Sequence, residues 1–240
     1  MPIRSHHLAG WLLTVGPQPF SAKNLERAPF LHPAGDSVDG WTSYDYLTDK
    51  PIPRVDDSAA PPPYTHELVF RWGRTSFLVL STNYDTVKYF IRLELRHLLG
   101  GALRRSAVKV HSLVLYMMDP KETVADDNQP SGLTNLETAE AFRTRYCLSY
   151  VAARTDAFGE SPQVVTFSGA RVSEASLFEE SSPLMRYYSC SLSRDGEDII
   201  KLGRDGFVSF DIPRGVPKQR GRLREVNAIL RQLVDLGMVT

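Results

Sequence analysis

Two groups of residues in this 240-residue chain have types and spacings that could do chemistry, and both chemistries are binding. The first is Pro61-Pro62-Pro63-Tyr64. Consecutive prolines hold a polyproline II helix before any partner arrives, which lowers the entropic cost of docking. WW domains read such a segment in an aromatic-lined groove, with the tyrosine as the anchoring ring. That use requires Tyr64 to be exposed and outside regular structure. A Tyr64 buried at the start of a strand would leave the motif inert. The second group is basic. Lys88, Arg92 and Arg96 recur four apart on a helical pattern, and Arg104, Arg105 and Lys109 follow. Such a stripe can face an anionic surface, either lipid headgroups or nucleic acid. Its bland reading, which charge alone favours, is a solvated helix face.

Other chemistry is not spelled out. Walker A, GxGxxG, GxSxG and HExxH patterns do not occur. The histidines at 6, 7, 32, 66, 97 and 111 lack metal-ligand spacing, and Cys147 and Cys190 form no CxxC. We therefore expect no metal, no cofactor and no catalytic residues. The two thiols are expected to be buried and reduced, although a Cys147–Cys190 bridge stays open. Asp195, Glu197 and Asp198 read as turn chemistry around Asp195-Gly196 rather than as a carboxylate cluster. A second basic cluster, Arg214, Lys218, Arg220, Arg222 and Arg224, leads into the last helical pattern, where cations oppose the helix dipole.

The elements that must position these residues follow from pattern. The length allows one large domain or two small ones. With 42% hydrophobic and 23% charged residues, wholesale disorder and disulfide scaffolds are excluded. The net charge is zero, but it is blocked: residues 71–120 are net +5, 121–200 net −6 and 201–240 net +4. Gross charge therefore does not mark a nucleic-acid binder. The apolar run Leu8–Val15 has neither the length of a membrane span nor a following cleavage site, and it fits a strand or a peptide that docks on a neighbour. More than half of the 16 prolines fall in residues 16–66. Residues 1–64 are accordingly expected to be a flexible Pro-rich arm, and 65–240 a single α+β domain.

Within that domain, 67–72 and 75–81 predict a hairpin, and 83–99 a helix stopped by Gly100-Gly101. The run VKVHSLVLYMM, 108–118, predicts a strand, and 121–132 a polar loop. Thr134-Asn135-Leu136-Glu137 has capping-box spacing and predicts a helix over 135–145. Strands are expected at 146–152, 163–172, 186–192, 198–202 and 207–212, with a short helix near 173–180 and a last one over 222–236. Asp195-Gly196 and Asp205-Gly206 supply tight turns. Short turns cannot hold crossover helices, so the sheet is expected to be mainly antiparallel, packed with two to three helices.

The order of these features resembles the matrix proteins of rhabdoviruses and related negative-strand RNA viruses. PPPY at 61–64 is followed by ELVFRW, SFLVLS, the helix NYDTVKYFIRLELRHLLGG and then VKVHSLVLYMM. This is similar to the first half of that family's globular domain. The arm departs from the family, holding only Lys23 and Lys50 as lysines. The resemblance implies a non-enzymatic virion protein that self-associates and binds an anionic membrane at its inner, cytoplasmic face. It also implies contact with a nucleocapsid and recruitment of a WW-domain ubiquitin ligase for budding, with 61–64 as a late domain. Two other classes stand beside it. One is a nucleic-acid-associated module using the basic cluster of the last helix. The other is a small enzyme in which His111 or His97 meets a carboxylate in a pocket.

Overall fold

A computed structural model describes residues 3–4, 6–15, 25, 28–35, 37, 39–53, 62–72, 76–98, 103–118, 136–155, 163–175, 178 and 184–239. The expected loop at 121–132 lies outside them. The chain divides into two compact units, where the pattern suggested one domain. The first holds residues 1–106 and 206–224, the second 107–205 and 225–240. Among the described residues the fold is α+β, the sheets are antiparallel and there are four helices, one more than expected.

The first unit is built on β1 (His7–Val15), β2 (Leu31–Pro33), β3 (Trp41–Thr48), β4 (Tyr64–Trp72), β5 (Ser76–Ser81), β6 (Leu103–Arg105) and β11 (Phe207–Asp211). They pair in the order β2-β3-β4-β5-β1-β11, and β6 also pairs with β1. The expected arm is therefore corrected at 7–15, 31–33 and 41–48, which are strands of this sheet. The reason is burial. Leu8, Trp11, Leu12 and Leu13 of β1 are all under 5% exposed, which only a strand covered on both faces allows. Gly10 permits the closest approach, since a Cβ there would stand 1.9 Å from the Val79 carbonyl oxygen. The prolines of this region punctuate the strands, with Pro33 closing β2 and Pro51 and Pro53 following β3.

The first helix, Tyr84–Phe90, begins where Asn83 Oδ1 accepts from the Asp85 amide at 2.8 Å. It continues as a π-turn, Ile91–Leu95, and a last α-turn, Arg96–Leu98. Val87, Phe90, Ile91 and Leu95 of this segment join Trp11, Tyr44, Tyr46, Phe70 and Phe77 in one core. Edge-on aromatic pairs tie it together, such as Tyr46–Phe90 at 5.3 Å and Tyr44–Phe70 at 5.4 Å.

The second unit carries β10 (Glu197–Gly203), β9 (Arg186–Arg194), β7 (Cys147–Thr155) and β8 (Gln163–Ser168), paired in that order. Asp195 and Gly196, at φ 54° and 81°, make the two-residue turn that Asp-Gly announces. The expected strand at 108–118 is corrected: Val110–Met118 is a helix. Val110, Leu113, Val114 and Met117 are buried at three- and four-residue steps, and this face packs on β9 and β7. A continuous apolar run serves either geometry, and here the strands already present leave a face that only a helix covers. The third helix, Leu136–Arg145, lies where the capping spacing placed it. The last helix, Val216–Asp235, starts six residues earlier than expected, with Pro217 in its first turn. Gly237 at φ 65° ends it, as Met238 N–H returns to the Leu233 carbonyl at 2.8 Å.

Candidate anion-binding cleft

The predicted basic stripe resolves into a cleft of the first unit with a volume of about 390 Å3, within the range of small-ligand sites. Four of the six predicted cations line it: Lys88, Arg92, Arg96 and, from β6, Arg105. Ile52, Pro53, Tyr89 and Ile91 supply apolar wall, and Asp85 is the one acid among the described residues that line it. Positions four apart would form a straight stripe on an α-helix. Here the Arg96 amide bonds back to the Ile91 carbonyl, the five-residue step of a π-turn. That wider turn lets the consecutive Phe90 and Ile91 both be buried while Arg92 and Arg96 remain exposed.

The cations differ in how far they are already engaged. Lys88 Nζ pairs with Asp85 Oδ1 at 3.2 Å and sits 4.0 Å from the centre of the Tyr84 ring. The Arg105 guanidinium lies 4.1 Å over the ring of Trp11. Arg92 and Arg96 make no ion pair among the described residues, so their guanidinium forks are available to a ligand. Forks of this kind match phosphate and carboxylate oxygens two at a time. Glu94 turns aside, its carboxylate accepting from the Tyr46 hydroxyl at 3.5 Å. Burial, then Glu94, pushes the Tyr46 phenol well above the ordinary range.

The two remaining cations do not join. Arg104 precedes Arg105 on a strand, where successive side chains alternate, and it does not line the cleft. Lys109 belongs to the second unit, where its amide donates to Met238 O. The cleft's Tyr89, Ile52 and Pro53 were missed in the sequence. Tyr89 adjoins Lys88 and could have been found on the helical pattern, whereas nothing near Ile52 or Pro53 signals a site.

Of the expected Pro61–Tyr64 ligand, Pro61 lies outside the described residues. Pro62 and Pro63 are exposed. Tyr64 is half-buried and opens β4 opposite Thr48, so the anchoring ring sits on a sheet strand and not on a free tether. In the second basic cluster, Arg224 Nε pairs with Asp39 Oδ2 at 2.9 Å. Arg222 is half-buried and has partners, while Arg214, Lys218 and Arg220 are exposed.

The other candidates stay apart. His7 Nδ1 lies 2.7 Å from Asp211 Oδ1 at an exposed strand end. His97 is exposed. His111 stacks on Tyr187, with centroids 5.4 Å apart, and its charged neighbour is Arg186 rather than a carboxylate. Among the described residues no three His, Cys, Asp or Glu side chains converge as a metal site would need. Cys147 and Cys190 are both free thiols. Cys190 is fully buried, which pushes its pKa up to about 12. No described helix is long and apolar enough to cross a membrane.

No protein-family model matches the chain, and no curated protein matches it.

Proposed function

We propose that this chain is a non-enzymatic structural protein that grips an acidic membrane surface through the cleft of the first helix. The observation that carries the reading is the meeting of Lys88, Arg92, Arg96 and Arg105 at one opening, with Arg92 and Arg96 unpaired among the described residues. Discounting Lys88 for its bond to Asp85, three cations near anionic lipid contribute about 1 kcal/mol each, enough for adhesion of roughly a hundredfold. That attraction is screened over roughly 8 Å at physiological salt, so it fades as salt rises. The wider role rests on the resemblance of the hairpin and helix over 67–99 to the matrix proteins, while the strand expected next in that order, 108–118, is a helix. In that role the protein self-associates under an envelope, contacts a nucleocapsid and works at the cytoplasmic face of a membrane and in the virion. Recruitment of a WW-domain ligase through Pro61–Tyr64 belongs to that role only if Tyr64 leaves its place opposite Thr48.

The test is co-sedimentation with vesicles of phosphatidylserine and phosphatidylcholine. The wild type is expected to pellet with acidic vesicles and to be released by salt, and Arg92→Glu/Arg96→Glu to lose at least tenfold in binding. Unchanged pelleting of the double variant overturns the reading. Binding to nucleic acid with a steep salt slope, and none to lipid, selects the nucleic-acid module instead. The basic cluster of the last helix favours that module less, because Arg224 is held by Asp39 and Arg222 is engaged.

A further inference from the structure

The sheet of the second unit has two unlike faces. Val151, Cys190, Leu192 and Leu202 are buried on one. From that side the Val110–Met118 helix packs on β9 and β7, and the Tyr187 ring meets His111 and Phe178. On the other face Lys201, Ser191 and Tyr150 stand in one cross-strand row. The next row is Gly203, Ser189, Ala152 and Thr166, a floor of small side chains of which the first three are buried beneath their longer neighbours.

Bulges shape that second face. The pairing of β7 with β9 skips Ser149 on one strand and Tyr188 on the other. A bulge re-aims the side chain at its extra residue. Ser149 Oγ donates to Asp198 Oδ1 at 2.5 Å. Tyr188 comes within electrostatic reach of Tyr150, and both rings are half-buried. Each ring carries a cation: Lys201 Nζ stands 4.5 Å from the centre of Tyr150, and the Arg154 guanidinium 5.8 Å from that of Tyr188. Arg186, opposite Arg154 in the register, adds a third.

We infer that this face is a platform for single-stranded nucleic acid, with bases stacking on Tyr150 and Tyr188 and phosphates held by Lys201, Arg154 and Arg186. Rings on neighbouring antiparallel strands, separated by small residues, are what successive unpaired bases need. Base–aromatic stacking is tolerant of sequence and supplies affinity that charge alone does not. The cation lies over each ring, so a base that stacks takes the cation's place and leaves that cation to its phosphate. A duplex hides its base faces and would gain only the charge contacts. This face belongs to the second unit, so the inference does not depend on the cleft of the first.

Fluorescence anisotropy of labelled 12-nucleotide oligo(U), oligo(dT) and a duplex of equal length tests it on the full chain. Both single strands are expected to bind more tightly than the duplex; preference between them reports the sugar. Tyr150→Ala/Tyr188→Ala is expected to weaken binding at least tenfold, and Tyr150→Phe/Tyr188→Phe to retain it, because the ring stays. Lys201→Gln/Arg154→Gln should lower the slope of log affinity against log salt by about 1.4, from roughly 0.7 per phosphate contact. If the alanine pair does not fold, that slope decides. Arg92→Glu/Arg96→Glu should leave oligonucleotide binding unchanged, which keeps this result separate from the vesicle experiment. Equal binding of the duplex, an unaltered affinity in the folded alanine pair, an unaltered slope, or loss in the Arg92/Arg96 variant overturns the inference.

Discussion

Arg105 stands over Trp11, its guanidinium carbon 4.1 Å from the ring centre, and so joins the rim of the cleft to β1, the strand between β5 and β11. Trp11 is fully buried as a residue, whereas Arg105 is exposed. Removing the cation should therefore touch stability and binding together. Arg105→Ala is expected to cost about 0.5–2 kcal/mol in urea unfolding and to weaken adhesion to acidic vesicles. Arg105→Lys should restore most of the adhesion and less of the stability, because an ammonium lacks the planar stacking surface. An alanine variant with both quantities unchanged would show that the contact is incidental.

Two glycines should respond in opposite directions. Gly10→Ala drives a methyl group to within 1.9 Å of the Val79 carbonyl oxygen in the neighbouring strand. Backbone cannot yield there without separating β1 from β5, so a loss of more than about 3 kcal/mol, or insolubility, is expected. Gly221 is exposed in the last helix, and a Cβ there would meet nothing within 4 Å. Gly221→Ala should stabilise by about 0.5–1 kcal/mol through helix propensity. Chemical denaturation of both variants reads the signs directly.

Tyr64 gives a comparison between a peptide and the whole protein. A synthetic peptide spanning the four residues Pro61–Tyr64 with short flanks can adopt polyproline II freely, while in the chain Tyr64 starts β4 opposite Thr48. The peptide is expected to bind a WW domain at least tenfold more tightly than the intact protein does. Equal affinities would show that the strand end opens at negligible cost and would restore the tether.

Acidification should weaken the second unit through His111. Burial first, and Arg186 second, hold this imidazole below its ordinary range. The fold thus favours the neutral ring, and the unfolded chain takes up the proton first as pH falls through about 6.5. Stability contributed by neutral His111 is present above that pH and is lost on the way down to the folded-state value. Urea midpoints between pH 8 and pH 5 should therefore fall more steeply for the wild type than for His111→Gln. Parallel curves would remove His111 as the cause.

The parts of this protein that were legible in its sequence are those decided within a few residues. Asp195-Gly196 turns β9 into β10 and Gly237 stops the last helix, because each acts on backbone angles or orphan amides beside it. The cations at 88, 92, 96 and 105 were legible as charges for the same reason. Which of them face one opening was not, since that depends on the π-turn at Ile91–Leu95 and on β6 pairing with β1. The apolar run at 110–118 satisfies a strand or a helix, and the apolar face of β7 and β9 chose the helix. The Pro-rich stretch before Tyr64 looked unfoldable by composition, yet His7–Val15 and Trp41–Thr48 found partners dozens to two hundred residues away. Burial against distant strands is a property of the assembled chain, and no local pattern records who the partner will be.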